Sequence, residues 1–468
     1  MPATPRAVPV TLDRTSARPL PLQVADALRR AIADGVLVTG DRLPSTRALA
    51  AELQVSRGVA HHAYDQLTAE GWIEGRTGSG TFVAAAIPAV PRTAPAPATT
   101  PIEDDGRADL VLRPGIPWTP PRPSAAWRRA WRIAGAEPAP HDYPDPAGPL
   151  ALRRSVCALL ARARGMTVDP GRVVVTTGAV HGLTLALAAL RTLGADSKPV
   201  LAMEDPGYRV AATAATAVGW GVHDFPVDRG GVVVDALRSA PDSTRAVYVT
   251  PSHQYPTGGT LDGGRRAALV AYARDTDTVV IEDDYDSEYR YDVAPLPALA
   301  HLDADRVVYL GTIAKTLGAG VRLGWMVLPA QLVEPVLRHR SAVGDFPSTP
   351  LCTATTSLLD DGEWDRLVRA ARRRYRNRDA VVRDSLSEFG ELRGSGAGMH
   401  TTLVLAPGRA DAVARAAATR GVTVPTIAES ARSHPDPGGL VIGYGRLSDV
   451  ELRTALDVVA DELRRHRD

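Results

Sequence analysis

A chain of 468 residues, 44% hydrophobic and 23% charged, has room for a sizeable core and for more than one domain. Two cysteines, Cys157 and Cys352, exclude a disulfide framework, and no apolar run approaches the roughly 18 residues that span a bilayer. The N-terminus has no apolar signal core, so a cytoplasmic location with no membrane partner is expected; a net charge of +1 leaves nucleic acid open, because basic surface can be local.

Residues 16–84 are expected to form a compact module. In "PLQVADALRRAIADGVL", Val24, Leu28 and Ile32 recur at four-residue spacing, one face of a helix. "STRALAAEL" opens on Ser45, an N-cap residue, and places Leu49 and Leu53 on one face. "SRGVAHHAYDQLTAEGW" opens on Ser56 and turns Ala60, Tyr64 and Leu67 inward. "WIEGRTGSGTFV" then reads strand, Gly-rich turn, strand. Three helices followed by a hairpin make a winged helix-turn-helix. Its third helix can set Ser56, Arg57, Gly58 and, further along, His62 against base edges in the major groove. Arg42, Ser45, Thr46 and Arg47 cluster where a helix N-terminus and guanidinium groups suit phosphate oxygens, and the hairpin tip at Gly78 is small enough to approach the backbone.

Residues 85–108 are rich in Ala and Pro, the composition of a semi-rigid linker. From residue 109 to 468, short β-branched runs such as "RVVVTTG", "PVLAMEDP", "RAVYVTPS", "TVVIEDDY" and "RVVYLGT" alternate with helical patterns or Gly/Pro loops. The alternation predicts an α/β domain with a mostly parallel sheet.

Of the 54 Lys plus Arg only two are lysines, Lys198 and Lys315. Lys315 follows the run "RVVYL" among small neighbours in "GTIAKTLGAGVRLGW", so it falls past a strand's C-terminal end, where open α/β sheets bind ligands. A dry site there lowers an amine's pKa and favours a Schiff base. "TVVIEDDYDSE" brings carboxylates and a Tyr to another strand end, and "TTGAVHGL" runs a strand into a helix N-terminus. Pyridoxal 5′-phosphate needs these parts: a Lys amine, a carboxylate at its ring nitrogen, a hydroxyl at its phenolic oxygen and an anion cradle.

"GDRLPSTRALAAELQVSRGVAHHAYDQLTAEGWIEGRTGSGTFV" resembles the DNA-binding domain of the GntR family of bacterial regulators, with Val59 where relatives often carry Thr. "DYPDPAGPLALRRSV", "TTGAVHGL", "MEDPGYR", "VTPSHQYPTG", "IEDDYDSEYRY" and "GTIAKTLGAGVRLGW", in that order, resemble fold-type I pyridoxal phosphate enzymes of the aspartate aminotransferase fold. That fold implies a seven-stranded, mostly parallel sheet and a smaller C-terminal α+β subdomain. The resemblance assigns the Schiff base to Lys315, the ring nitrogen to Asp283 with Asp284 as nearest competitor, the phenolic oxygen to Tyr285 and a place by the ring to Tyr208. It sets Ala179, Val180, Thr312 and Arg322 around the phosphate, with Tyr143 reaching the other subunit of a homodimer. Together the modules resemble the MocR subgroup of GntR regulators, most of all those of pyridoxine biosynthesis. This implies a regulator that binds a double-stranded DNA operator and uses its aminotransferase-like domain as a sensor rather than an enzyme.

Two departures bear on the effector. Ala314 stands where many relatives carry Ser, and the strand "GGLVIGYGRLSD" has no Arg to clamp an α-carboxylate; Arg446, Arg432 and Arg209 are the substitutes in reach. Pyridoxal phosphate is thus the expected effector. An amino acid bound through a resident cofactor is the alternative, and a working aminotransferase a third reading.

Overall fold

The computed structural model describes residues 10–84, 110–194, 198–291, 296–394, 396–433 and 438–466. The chain divides into two compact units, Met1–Asp104 and Asp105–Asp468. The linker expected at 85–108, and residue 109, lie outside the described residues.

In the first unit α1 (Leu20–Ala33), α2 (Thr46–Glu52) and α3 (Arg57–Ala69) enclose one core, and β1 (Ile73–Arg76) pairs antiparallel with β2 (Gly80–Val83) as the wing. Val24, Leu28, Leu49, Ala60, Tyr64 and Leu67 are buried in it; Ile32 and Leu53 are only half-buried at its margin. Ser45 caps α2 by accepting the Ala48 N–H at 3.1 Å, as its position after Pro44 predicts. Ser56 holds the equivalent place at α3 but makes no capping hydrogen bond. The Tyr64 hydroxyl donates to the Pro44 carbonyl at 2.8 Å, pinning α3 to the entry of α2.

The second unit begins with β3 (Leu110–Val111). Its large sheet contains β4 (Val173–Thr176), β5 (Val200–Asp205), β6 (Gly221–Asp228), β7 (Gly231–Val232), β8 (Thr244–Val249), β9 (Val279–Asp284), β10 (Val307–Thr312) and β11 (Gly324–Val327). The order is β4-β11-β10-β9-β8-β5-β6-β7. Five strands, β10 to β6 in that order, are mutually parallel; β11 runs antiparallel to both neighbours. The expected count of seven is corrected to eight: a tight turn folds the two-residue β7 back on β6.

Alternation along each buried strand feeds two cores, one on each face. In β9, Val279 and Ile281 enter one and Val280 the other. The smaller subdomain is a three-stranded antiparallel sheet of β12 (Leu392–Arg393), β13 (His400–Val404) and β15 (Gly439–Gly443) with its own core. β14 (Val422–Thr423) pairs in parallel with β3, so the first described residues of this unit are stitched to its C-terminal part. Among the described residues no helix is long and apolar enough to cross a membrane.

Candidate functional site

In the first unit Ser45, Arg47, Ser56, Arg57, Gly58, His62 and Gly78 are exposed, and Arg42 and Thr46 half-exposed. The helix residues among them sit at the N-terminal ends of α2 and α3 and one turn along α3. Gly78 (φ +75°) and Gly80 (φ +114°) let the wing turn back tightly. Arg42 bridges to Phe82 of β2, and its guanidinium lies 3.1 Å from where a side chain on Gly80 would begin, so it belongs as much to the wing as to α2. Arg76, stacked at 4.7 Å on Phe82, is a further wing cation that sequence reading passed over.

In the second unit the C-terminal ends of β4, β5, β8, β9 and β10 open on a cavity of about 300 Å³. Ala179, Val180, Tyr208, Asp283, Tyr285, Thr312, Lys315 and Arg322 all line it. Lys315 lies in the single turn Ala314–Leu317 after β10, and its Nζ donates to the Gly115 carbonyl at 2.6 Å. Burial pushes its pKa below the ordinary lysine value, against the pull of Asp283 and Asp286.

The two neighbouring carboxylates separate by strand parity. Asp284 faces the other side of the sheet, where Arg164 holds it at 2.8 Å and the Tyr309 hydroxyl at 2.5 Å. Asp283 faces the cavity. One of its oxygens accepts from the Tyr248 hydroxyl, while Oδ1 is buried with no hydrogen-bond partner. Burial raises its pKa to about 6. An orphaned carboxylate oxygen facing Lys315 across a cavity fits a ring N–H donor.

The end of the cavity beside Arg322 is built on glycine and an uncommon backbone. Gly178 (φ +129°) precedes the Ala179–Leu193 helix, and its conformation is one that L side chains rarely adopt. Arg322 (φ +53°) turns its guanidinium to within 4.0 Å of the point where a Gly178 side chain would begin. A cationic fork over a helix N-terminus, with Thr312 on the wall, suits a phosphate.

Tyr208, Tyr255 and Tyr285 form an aromatic wall, with edge-on pairs at 5.9 and 6.4 Å. The Tyr285 hydroxyl donates to the His253 carbonyl at 3.0 Å. Sequence reading missed Tyr248, Thr250, Tyr255 and the Pro114–Ile116 segment, all at or beside the cavity. "VTPSHQYPTG" contained two of them, and its signal was the motif itself. Tyr143 is not in the cavity: it is 79% exposed and stacks on Phe346 at 5.1 Å. Arg209, Arg432 and Arg446 do not line the cavity either. Arg432 pairs with Asp224 at 3.1 Å, Arg209 donates to the Glu429 carbonyl, and Arg446 is exposed.

The bacterial regulatory proteins of the gntR family match residues 20–83, and aminotransferase class I and II matches residues 118–458. The pyridoxine biosynthesis transcriptional regulator PdxR of Corynebacterium glutamicum is 35% identical over 97% of this chain and 98% of its own. The probable rhizopine catabolism regulatory protein MocR of Rhizobium meliloti is 31% identical over 96% of this chain and 94% of its own. The chain belongs to the MocR subgroup of GntR-family transcriptional regulators. The MocR-type body shares its fold with aminotransferases: an archaeal alanine:glyoxylate aminotransferase superposes with a TM-score of 0.70 at 23% identity, covering 77% of this chain and 92% of that one. In this MocR-type regulator the GntR match falls on the winged helix and the aminotransferase match on the unit that holds Lys315.

Proposed function

We propose that this MocR-type chain is a pyridoxal phosphate-responsive regulator of vitamin B6 synthesis genes, with residues 16–84 reading the operator, 85–108 as linker and 109–468 as sensor. One observation carries the reading: Lys315, the unpartnered Asp283 Oδ1 and the Arg322 cradle share a cavity whose lining cations, among the described residues, are Lys315 and Arg322, while Arg209, Arg432 and Arg446 do not line it. When bound, the cofactor would supply an aldehyde able to condense with the Lys315 amine. Asp283 would accept from its ring nitrogen, Tyr285 would serve its phenolic oxygen, and Tyr208 would stand by the ring. The N–H groups at Ala179 and Val180, the Thr312 hydroxyl and Arg322 would hold its phosphate. Tyr143, exposed in the single chain, is offered to the phosphate site of a second copy in a homodimer.

In this reading Arg42, Ser45, Thr46 and Arg47 hold the DNA backbone, Ser56, Arg57, Gly58 and His62 meet base edges, and the Gly78 tip approaches the duplex from the side. The sensor turns over no substrate. Titrating pyridoxal phosphate into cofactor-free protein while measuring operator affinity tests the proposal. Affinity that stays constant through saturation overturns it. An absorbance scan against an amino-acid panel separates this reading from an amino-acid effector, since only the latter shifts the bound cofactor's spectrum.

A further inference from the structure

We propose that the groove between the Glu363–Leu386 helix and the start of the Asp449–Arg465 helix is a second anion site, built to take a phosphate group and separate from the Arg322 cradle. The groove has a volume of about 440 Å³, and Trp118, Arg373, Arg374, Arg378, Asp449 and Arg453 line it. Four guanidinium groups thus face one carboxylate. Arg378 Nε lies 2.8 Å from Asp449, and Arg374 Nη2 lies 3.6 Å from the same side chain. Arg373 and Arg453 have no carboxylate within ion-pair distance among the described residues.

Arg378 is 2% exposed, donates to the carbonyls of Tyr444 at 2.6 Å and Gly445 at 3.0 Å, and keeps a buried Nη2 with no acceptor. A buried donor without a partner is costly. Beside an excess of positive charge, an oxyanion is the acceptor that would match this donor. The Asp449–Arg465 helix begins at the same groove, its N-terminus already served by the Ser448–Glu451 capping box, so the guanidinium groups carry the site, and their planar fork matches phosphate geometry. The Arg374 guanidinium covers the Trp118 ring at 5.1 Å, which holds it in place.

The groove is joined to Lys315 by two routes. The Trp118 N–H donates to the Tyr375 hydroxyl at 2.8 Å, Tyr375 packs edge-on against Tyr289 at 5.1 Å, and the Tyr289 hydroxyl donates to the Lys315 carbonyl at 2.6 Å. Trp118 also ends the segment whose Gly115 carbonyl holds the Lys315 amine. The two routes thus connect the groove to both the backbone carbonyl and the amine of Lys315. Two sources supply the same group: a free phosphorylated small molecule and the backbone of DNA.

Inorganic phosphate is titrated calorimetrically into the full chain, into Arg322→Gln protein, and into the double variant Arg374→Gln, Arg453→Gln. Both substituted side chains reach solvent and Arg378 is left in place; circular dichroism checks the fold, with Arg453→Gln alone as the milder variant. The expected result is a binding event that survives Arg322→Gln and weakens about tenfold or more in the double variant. In parallel, a non-operator duplex is titrated at several salt concentrations. If phosphate shows no such event but the double variant lowers the salt slope by about 1 to 2, the DNA backbone is the source. Phosphate and duplex titrations that both match the unsubstituted protein overturn the proposal.

Discussion

Asp283 and Asp284 show how one residue of offset decides a role. They are adjacent and chemically identical, yet β9 turns one to the cavity and the other to Arg164 and Tyr309. The raised pKa of Asp283, about 6 against roughly 3.9 in an unfolded chain, means the native form holds its proton more tightly. The Asp283 contribution to cofactor-free stability therefore falls as pH rises from about 4 to about 6 and stays reduced above that. Asp283→Asn removes the charge and keeps the shape. Urea unfolding should show the variant more stable than the parent by about 1 to 3 kcal/mol at pH 8 and equal to it below pH 4, while its cofactor affinity drops. Lys315 carries the complementary prediction. A Schiff base needs the neutral amine, so the rate of cofactor capture should rise with pH and level off at an apparent pKa below 10.5. Lys315→Ala should lose the covalent cofactor absorbance and retain operator binding. A variant that still gave that absorbance would remove Lys315 from the site.

At the level of elements, the two serines that open α2 and α3 look alike in sequence and differ in use. The Ser45 hydroxyl caps its helix at 3.1 Å, whereas that of Ser56 makes no capping bond. Ser45→Ala should cost the winged helix about 1 kcal/mol. Ser56→Ala should change the urea midpoint little, within about 0.5 kcal/mol, and weaken operator binding instead. Equal losses of stability in both variants would contradict the distinction. The strands with continuous apolar runs, β4, β5, β8, β9 and β10, were legible because burial on both faces demands such runs. β6 was not: "GVHDFPVD" mixes polar residues and a proline because it lies near the sheet's edge, half-exposed and followed only by β7.

For the whole molecule, the proposed linkage is between the Lys315 cavity and the winged helix. A typical allosteric coupling free energy, about 1 to 3 kcal/mol, corresponds to a roughly 5- to 150-fold change in operator affinity. Arg57→Ala should weaken operator binding and leave cofactor absorbance unchanged, whereas Lys315→Ala should abolish the cofactor-induced change in affinity; gel-shift titration with and without cofactor reads both. Within the second unit, we place that linkage on the segment from Leu110 to Trp118. It pairs with β14, accepts the Gly443 N–H on the Leu112 carbonyl, holds the Lys315 amine at Gly115 and reaches Tyr375 at Trp118.

The sequence by itself determined the helices and wing of the head, the alternating α/β body and the residue types of the cavity. Those features are local: periodicity, capping residues, strand-end motifs and a rare lysine among arginines. Only the tertiary structure decided which of two aspartates faces Lys315 and that Tyr248 and Tyr255 join the site. It also set the groove of arginines between two helices remote in sequence. These outcomes depend on which strand lies beside which and on which face each side chain leaves. Parity and adjacency of that kind are properties of the assembled sheet, not of any stretch of chain.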